Sequence, residues 1–333
     1  MAASEATALE LRDAFGSTLV ELGHEYPEMV FLDGDLHTST KAVLFKESFP
    51  SRFYQIGIAE QNLFGVAAGL ALEGFIPIPS TFASFVVRRA LDQIAISIAY
   101  PRLNVKIPGS YVGVPTSRAG ASHNCIEDTA VMRSIPHFRI ADPGSNRDLA
   151  SVMRVAMQTD GPVYYRVARY AVPEFLPDDY AFEWGRATIL RSGTDVTLLG
   201  TGFMTFSCLE TADLLAKNGL DAEVIHCASI KPLDAETICG SLARTGCAVT
   251  AENASTIGGF GAAVTELVSE TAPAVVLRVG VRDAFVESGG CRELLGVHGM
   301  LPADIAAKAE EATRLRDSAG RFQARTEEAH ARS

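Results

Sequence analysis

FYQIGIAEQNLFGVAAGLALEG, residues 53–74, decides how the rest of the chain is read. A strand-like run ends at Gly57, and Glu60 then opens a helix whose small residues, Gly65, Ala67, Ala68, Gly69 and Ala71, permit close packing. An acidic residue in a first turn has an electrostatic reason to be there, worth about 0.3–1 kcal/mol against the helix dipole. A carboxyl group presented at a turn is also a candidate functional group, and periodicity alone does not choose between the two.

Working outward, short apolar runs that end in small or polar residues alternate with amphipathic stretches: VFLDGD at 30–35, FIPIPS at 75–80, LNVKIPGS at 103–110, FRIADP at 138–143 and VYYRVAR at 163–169. Helices are expected over 60–72 and 85–99, where apolar residues recur at spacings of three and four. This is the pattern of an α/β fold with a mostly parallel, doubly wound sheet. After Arg169 two prolines and an acidic cluster form a connector, and a second α/β series follows: DVTLLGTG at 195–202, AEVIHCASIKPLD at 222–234, CAVTAENAS at 247–255 and VVLRVGV at 275–281. The expectation is therefore two doubly wound domains, 1–190 and 191–315, and a charged tail, 316–333, that frays.

A length of 333 residues with 47% hydrophobic content suffices to bury a core in each of two domains. The apolar run at 94–99 is far shorter than the roughly 20 residues a membrane helix needs, and the acidic start of the chain does not suit a signal peptide. A cytoplasmic protein is expected, with no membrane partner. The net charge of −11 argues against a nucleic-acid partner, because phosphate neutralisation needs clustered cations. Six cysteines without a CxxC pair point neither to a zinc site nor to a disulfide framework, so no metal is assigned to this chain's own residues.

IAEQN, followed by PSTFASFVVRRALDQI and then GASHN, resembles the pyrimidine-binding domain of the transketolase family. ELRDAFG, LNVKIPGS, GPVYYR, IKPLD and IGGFGAAV extend the resemblance, in the family's order, over nearly the whole chain. It implies the C-terminal subunit of a split transketolase: a pyrimidine-binding domain followed by a transketolase C-terminal-like domain. It also implies a thiamine-diphosphate-dependent transferase of two-carbon units. In that chemistry a carboxyl bonded to the pyrimidine N1′ drives the imino tautomer that removes the thiazolium proton. The resemblance assigns this role to Glu60, with Ile58, Phe82 and Phe85 beside the cofactor and His123 shuttling protons near the substrate. Packing of a helix start is the other reading of Phe82 and Phe85.

Arg12, Ser39 and Arg169 resemble the family's phosphate contacts, and a guanidinium fork suits an anionic substrate tail; surface ion pairing is the alternative for each arginine. The segment GSYVGVPTSRAGASHN departs from the family: Tyr111 stands in place of a histidine, Arg118 and Ala119 replace an acidic pair, and SHN replaces THQ. Tyr111 and Arg118 therefore join the candidate substrate contacts, and the acceptor is expected to be less hydroxylated or more anionic than in the sugar-processing members. The family's GDG and asparagine pair are missing, Asp33-Gly34-Asp35 reversing the pattern. Mg²⁺ and the diphosphate are accordingly expected on an N-terminal partner subunit, in an α₂β₂ heterotetramer. The β subunit of a 2-oxoacid dehydrogenase, or an enzyme making an acyloin or ketone from a 2-oxoacid, shares the layout and stays open. In the second domain Gly258-Gly259 could form an anion nest, but packing is the favoured reading there and for AENAS at 251–255.

Overall fold

The structure, a computed structural model, describes residues 10–331. The first sheet is built from β1 (Met29–Asp33), β2 (Phe53–Gln55), β3 (Ile76–Phe82), β4 (Lys106–Ser110), β5 (Arg139–Ala141) and β6 (Val163–Val167). The second contains β7 (Thr188–Arg191), β8 (Val196–Gly200), β9 (Ala222–His226), β11 (Cys247–Ser255) and β12 (Val275–Val281). One strand crosses between them: β10 (Ser229–Lys231) lies on the edge of the first sheet, antiparallel to β5. The orders are β10-β5-β6-β4-β3-β1-β2 and β12-β11-β8-β9-β7, all parallel except at β10 and β7. Every residue of β1, β3, β4 and β6 is buried, as parallel strands covered by helices on both faces require. Among the described residues no helix is long and apolar enough to cross a membrane.

Two expectations are corrected. The single helix over 85–99 is instead the α-helix Ala83–Arg89 followed by π-helical Gln93–Ala99. Ile94 and Ala99, five apart, are both buried, the spacing that i→i+5 turns bring to one face. The tail is not frayed from Arg314: the helix beginning at Pro302 runs to Ala331, through a stretch rich in Ala, Glu and Arg, all good helix formers. Arg332 and Ser333 lie outside the described residues.

The two halves are joined by a buried charge cluster. Arg166, on β6 and wholly buried, donates to both oxygens of Asp128 (2.8 and 3.1 Å), to Asp142 (2.8 Å) and to the Asn253 carbonyl (2.9 Å) at the end of β11. Tyr164 adds a hydrogen bond to Asp128 at 2.8 Å, so both carboxylates are partnered.

The Gly258-Gly259 turn is filled from within the chain. Glu252 accepts from the backbone N–H groups of Phe260 (2.6 Å) and Gly261 (2.9 Å), and a Cβ at residue 259 would stand 2.1 Å from its Oε2. Here the carboxylate itself caps the helix Phe260–Thr271. Burial pushes the Glu252 carboxyl up to about 7, the two N–H groups pulling the other way. A raised folded pKa means the native state holds the extra proton between about 4.5 and 7, so stability falls as pH rises through that window. The urea midpoint of the wild type relative to Glu252→Gln is therefore expected to drop between pH 5 and pH 8; a difference independent of pH would refute this.

Candidate active site

Open parallel sheets tend to bind ligands at the carboxyl ends of their strands, and that edge of the first sheet carries the candidate residues. Glu60 follows β2, Phe82 ends β3, Tyr111 follows β4 and Arg169 follows β6. The register pairs Phe82 with Ser110 and Ser110 with Val167, which sets these groups side by side although 87 positions separate Phe82 from Arg169.

Glu60 is the first residue of the helix Glu60–Leu72, and only 6% of it is exposed. It lines a cleft of about 550 Å³ with Ala59, Gln61, Asn62, Arg88 and Arg89. Arg89 donates to its Oε1 at 2.8 Å and lies over the Phe85 ring at 4.0 Å. The preceding arginine also lines the cleft, but its guanidinium is committed to other partners. Arg88 pairs with Glu127 at 2.5 Å and donates to the carbonyls of Ala121 (3.1 Å), Ser122 (3.5 Å) and Asn124 (3.4 Å), holding the GASHN segment in place. Although burial favours the protonated form, the Arg88 guanidinium holds the Glu127 carboxyl below its usual value. The adjacent arginines in RRALDQI were legible in the sequence, but their division of labour was not.

The rings form one wall. Phe82 stacks on Tyr111 (4.2 Å, 27°), and His123 sets its edge against Phe82 (5.8 Å) and Phe85 (5.3 Å). The two edge-on separations fall in the range where aromatic pairs attract, and Phe82 and Tyr111 pack closer still. His123 Nδ1 lies 2.8 Å from the Ser122 hydroxyl. Ile58 is 72% exposed and makes none of the ring contacts.

Beyond the wall is a second cavity of about 380 Å³, lined by Phe82, Tyr111, Thr116, Arg118, Arg169, Glu10 and Cys291 among others. Its size is that of a small-ligand site. Arg118 and Arg169 face it, whereas Arg12 is engaged behind it: the guanidinium pairs with Glu10 and donates to the Tyr111 hydroxyl (3.0 Å) and the Ser39 carbonyl (3.2 Å). The Tyr111 hydroxyl also donates to that carbonyl at 3.1 Å, so Ser39 participates through its backbone. Arg169 lies 5.4 Å from the Tyr111 ring centroid and 3.9 Å from the Glu10 carboxylate. Burial pushes the Cys291 thiol up to about 11, which leaves it protonated near neutrality. Glu10 and Thr116 stand inside ELRDAFG and GSYVGVPTSRAGASHN but were not singled out there, and Cys291 belongs to no motif.

Asp33 is committed internally: it accepts from the Leu36 N–H (3.0 Å) and from Gln55 (2.9 Å), and it pairs with His37 at 2.6 Å. Among the described residues no group of three or more His, Cys, Asp or Glu side chains is arranged to hold a metal ion. All six cysteines are free thiols.

Two family models match: "Transketolase, pyrimidine binding domain" over residues 7–174 and "Transketolase, C-terminal domain" over 185–305. A 6-deoxy-6-sulfo-D-fructose transketolase subunit of Clostridium sp. (strain MSTE9) is 39% identical, over 91% of this chain and 94% of its own length. One subunit of the apulose-4-phosphate transketolase of Phocaeicola vulgatus is 35% identical, over 87% and 93% respectively. A solved structure described as a split gene transketolase, inactive beta4 tetramer, superposes with a TM-score of 0.87 at 45% identity, covering 92% of this chain and 99% of that one.

Proposed function

Because the chain belongs to the transketolase family, we propose that it supplies the pyrimidine-binding face of a thiamine-diphosphate site and, joined to a diphosphate-binding partner subunit, transfers a two-carbon unit to an acceptor. The observation that carries this reading is the Glu60 carboxyl, buried at its own atoms yet lining an open cleft beside an aromatic wall. When bound, thiamine diphosphate supplies the carbon nucleophile that takes up the two-carbon unit.

Glu60 holds a proton against the pyrimidine N1′, and Arg89 orients the carboxyl from the cleft side. Phe82 and Phe85 offer ring faces to the heterocycle, while Ile58 stands exposed at the turn before Glu60. His123, edge-on to both rings, exchanges a proton with a substrate oxygen. Arg118 and Arg169 bind an anionic substrate tail in the second cavity. Arg12 and Ser39 act through Tyr111, which they anchor by its hydroxyl.

The partner follows from the same reading. Asp33 is occupied by His37 and Gln55, so oxygen ligands for Mg²⁺ come from the diphosphate-binding subunit, and two such pairs form the heterotetramer. The solved relative, described as an inactive tetramer of β chains, fits a protein that does not turn over by itself.

The test is reconstitution with the large-subunit product, thiamine diphosphate and Mg²⁺, followed by a donor and acceptor screen. Cofactor-dependent consumption of phosphorylated or sulfonated ketoses, in preference to neutral ones, is the expected result. Turnover by this chain without the large subunit would overturn the requirement for a partner. Full activity with xylulose 5-phosphate and ribose 5-phosphate would overturn the altered pocket, and acyl transfer to a lipoyl acceptor would favour the dehydrogenase layout instead.

A further inference from the structure

Tyr111 is a bulky residue at φ +61°, in the left-handed region that L side chains rarely adopt. Such a conformation persists only where its surroundings over-determine it. Its own bonds do part of this: its N–H donates to the Val167 carbonyl (3.0 Å), and its carbonyl accepts from the Thr116 hydroxyl (2.6 Å).

The rest comes from the other half of the molecule. Asn253, at the carboxyl end of β11 and 1% exposed, accepts from the Val114 N–H through Oδ1 (2.9 Å) and donates to the Val112 carbonyl through Nδ2 (3.3 Å). Between these two bonds lies Gly113, at φ +66°, where a Cβ would stand 2.3 Å from the carboxamide. One side chain thus satisfies the backbone on either side of a turn that only glycine can make so close. The backbone from which the carboxamide projects is anchored as well, because the Asn253 main-chain carbonyl accepts from Arg166 at 2.9 Å.

We infer that Asn253, contributed by the second domain, is a positioning residue for substrate recognition: its carboxamide fixes the 112–114 turn and so fixes where Tyr111 stands in the substrate cavity. Tyr111 meets Arg12 and Arg169 at once, so rotating the turn displaces its hydroxyl and the cation set together, while Phe82, at the end of β3, and Phe85, on the following helix, keep their own supports. Glu60 and its cleft share no hydrogen bond with Asn253 and are left as they are. The substrate arm of this inference rests on the transketolase-type reading; the conformational arm does not.

The test compares Asn253→Ala and Gly113→Ala, which disturb the contact from its two sides, with Thr197→Val as a control. Thr197 has buried hydroxyl partners in Ser241 (2.6 Å) and Thr245 (2.7 Å), so the control weakens the second domain without touching the turn. Hydrogen exchange on the full chain is expected to speed up about tenfold or more at residues 111–116 in the first two variants and not in the control. In the reconstituted complex, KM for the anionic substrate is expected to rise about tenfold, with thiamine-diphosphate affinity unchanged. Unchanged exchange at 111–116 overturns the positioning role whether or not the complex transfers two-carbon units. Faster exchange with an unaltered KM, or with equal losses in KM and cofactor affinity, overturns the link to recognition. A wild-type complex that consumes no donor counts against the proposed function, and the exchange result then still decides the positioning role.

Discussion

Glu60→Gln, reconstituted with the partner subunit, thiamine diphosphate and Mg²⁺, is expected to lower kcat by about 10²–10⁴-fold, the range that a positioned acid–base group contributes. Gln keeps the size of the side chain and can still bond the pyrimidine, but it has no carboxyl proton to hold at N1′. The buried position makes the loss hard to rescue from solvent, because 6% exposure leaves little room for water to act instead. The loss should fall on kcat more than on KM, since the second cavity with Arg118 and Arg169 is untouched. Steady-state kinetics together with a cofactor-binding titration reads both quantities. Turnover within a factor of two of the wild type would remove Glu60 from the chemistry.

Arg166→Met is expected to be the most destabilising of the single changes considered, at about 3–5 kcal/mol, because it leaves Asp128 and Asp142 buried without their cation. Burial already pushes the Asp142 carboxyl up, with Arg166 opposing that shift, so removing the guanidinium leaves only the unfavourable part. Against a total stability of about 5–15 kcal/mol, this is a large fraction. Urea unfolding of the full chain measures it. Adding Asp128→Asn to Arg166→Met should recover part of the loss by removing one stranded charge. A loss below about 1 kcal/mol, or no recovery in the double variant, would show that the cluster is not what joins the two halves.

The FYQIGIAEQNLFG stretch was legible because its information is local: a tight turn, a helix start and small residues are each specified by neighbours along the chain. The runs read as parallel strands correspond to strands buried on both faces for the same reason, continuous apolarity being a local property. The helix over 85–99 was read too simply, because the switch to i→i+5 turns at Gln93 answers to what the helix packs against.

By itself, then, the sequence determined the fold class, the family and the acidic residue at the start of its decisive helix, all of them encoded in short-range pattern and motif order. The tertiary structure alone decided that Arg88 and Arg89 serve different partners, that Glu10 sits among the arginines, that Ser39 acts through its carbonyl, and that Asn253 reaches from the second domain to hold the turn after Tyr111. These contacts join residues up to 141 positions apart. Such pairings depend on which strand ends the register places side by side, a quantity that no local propensity contains.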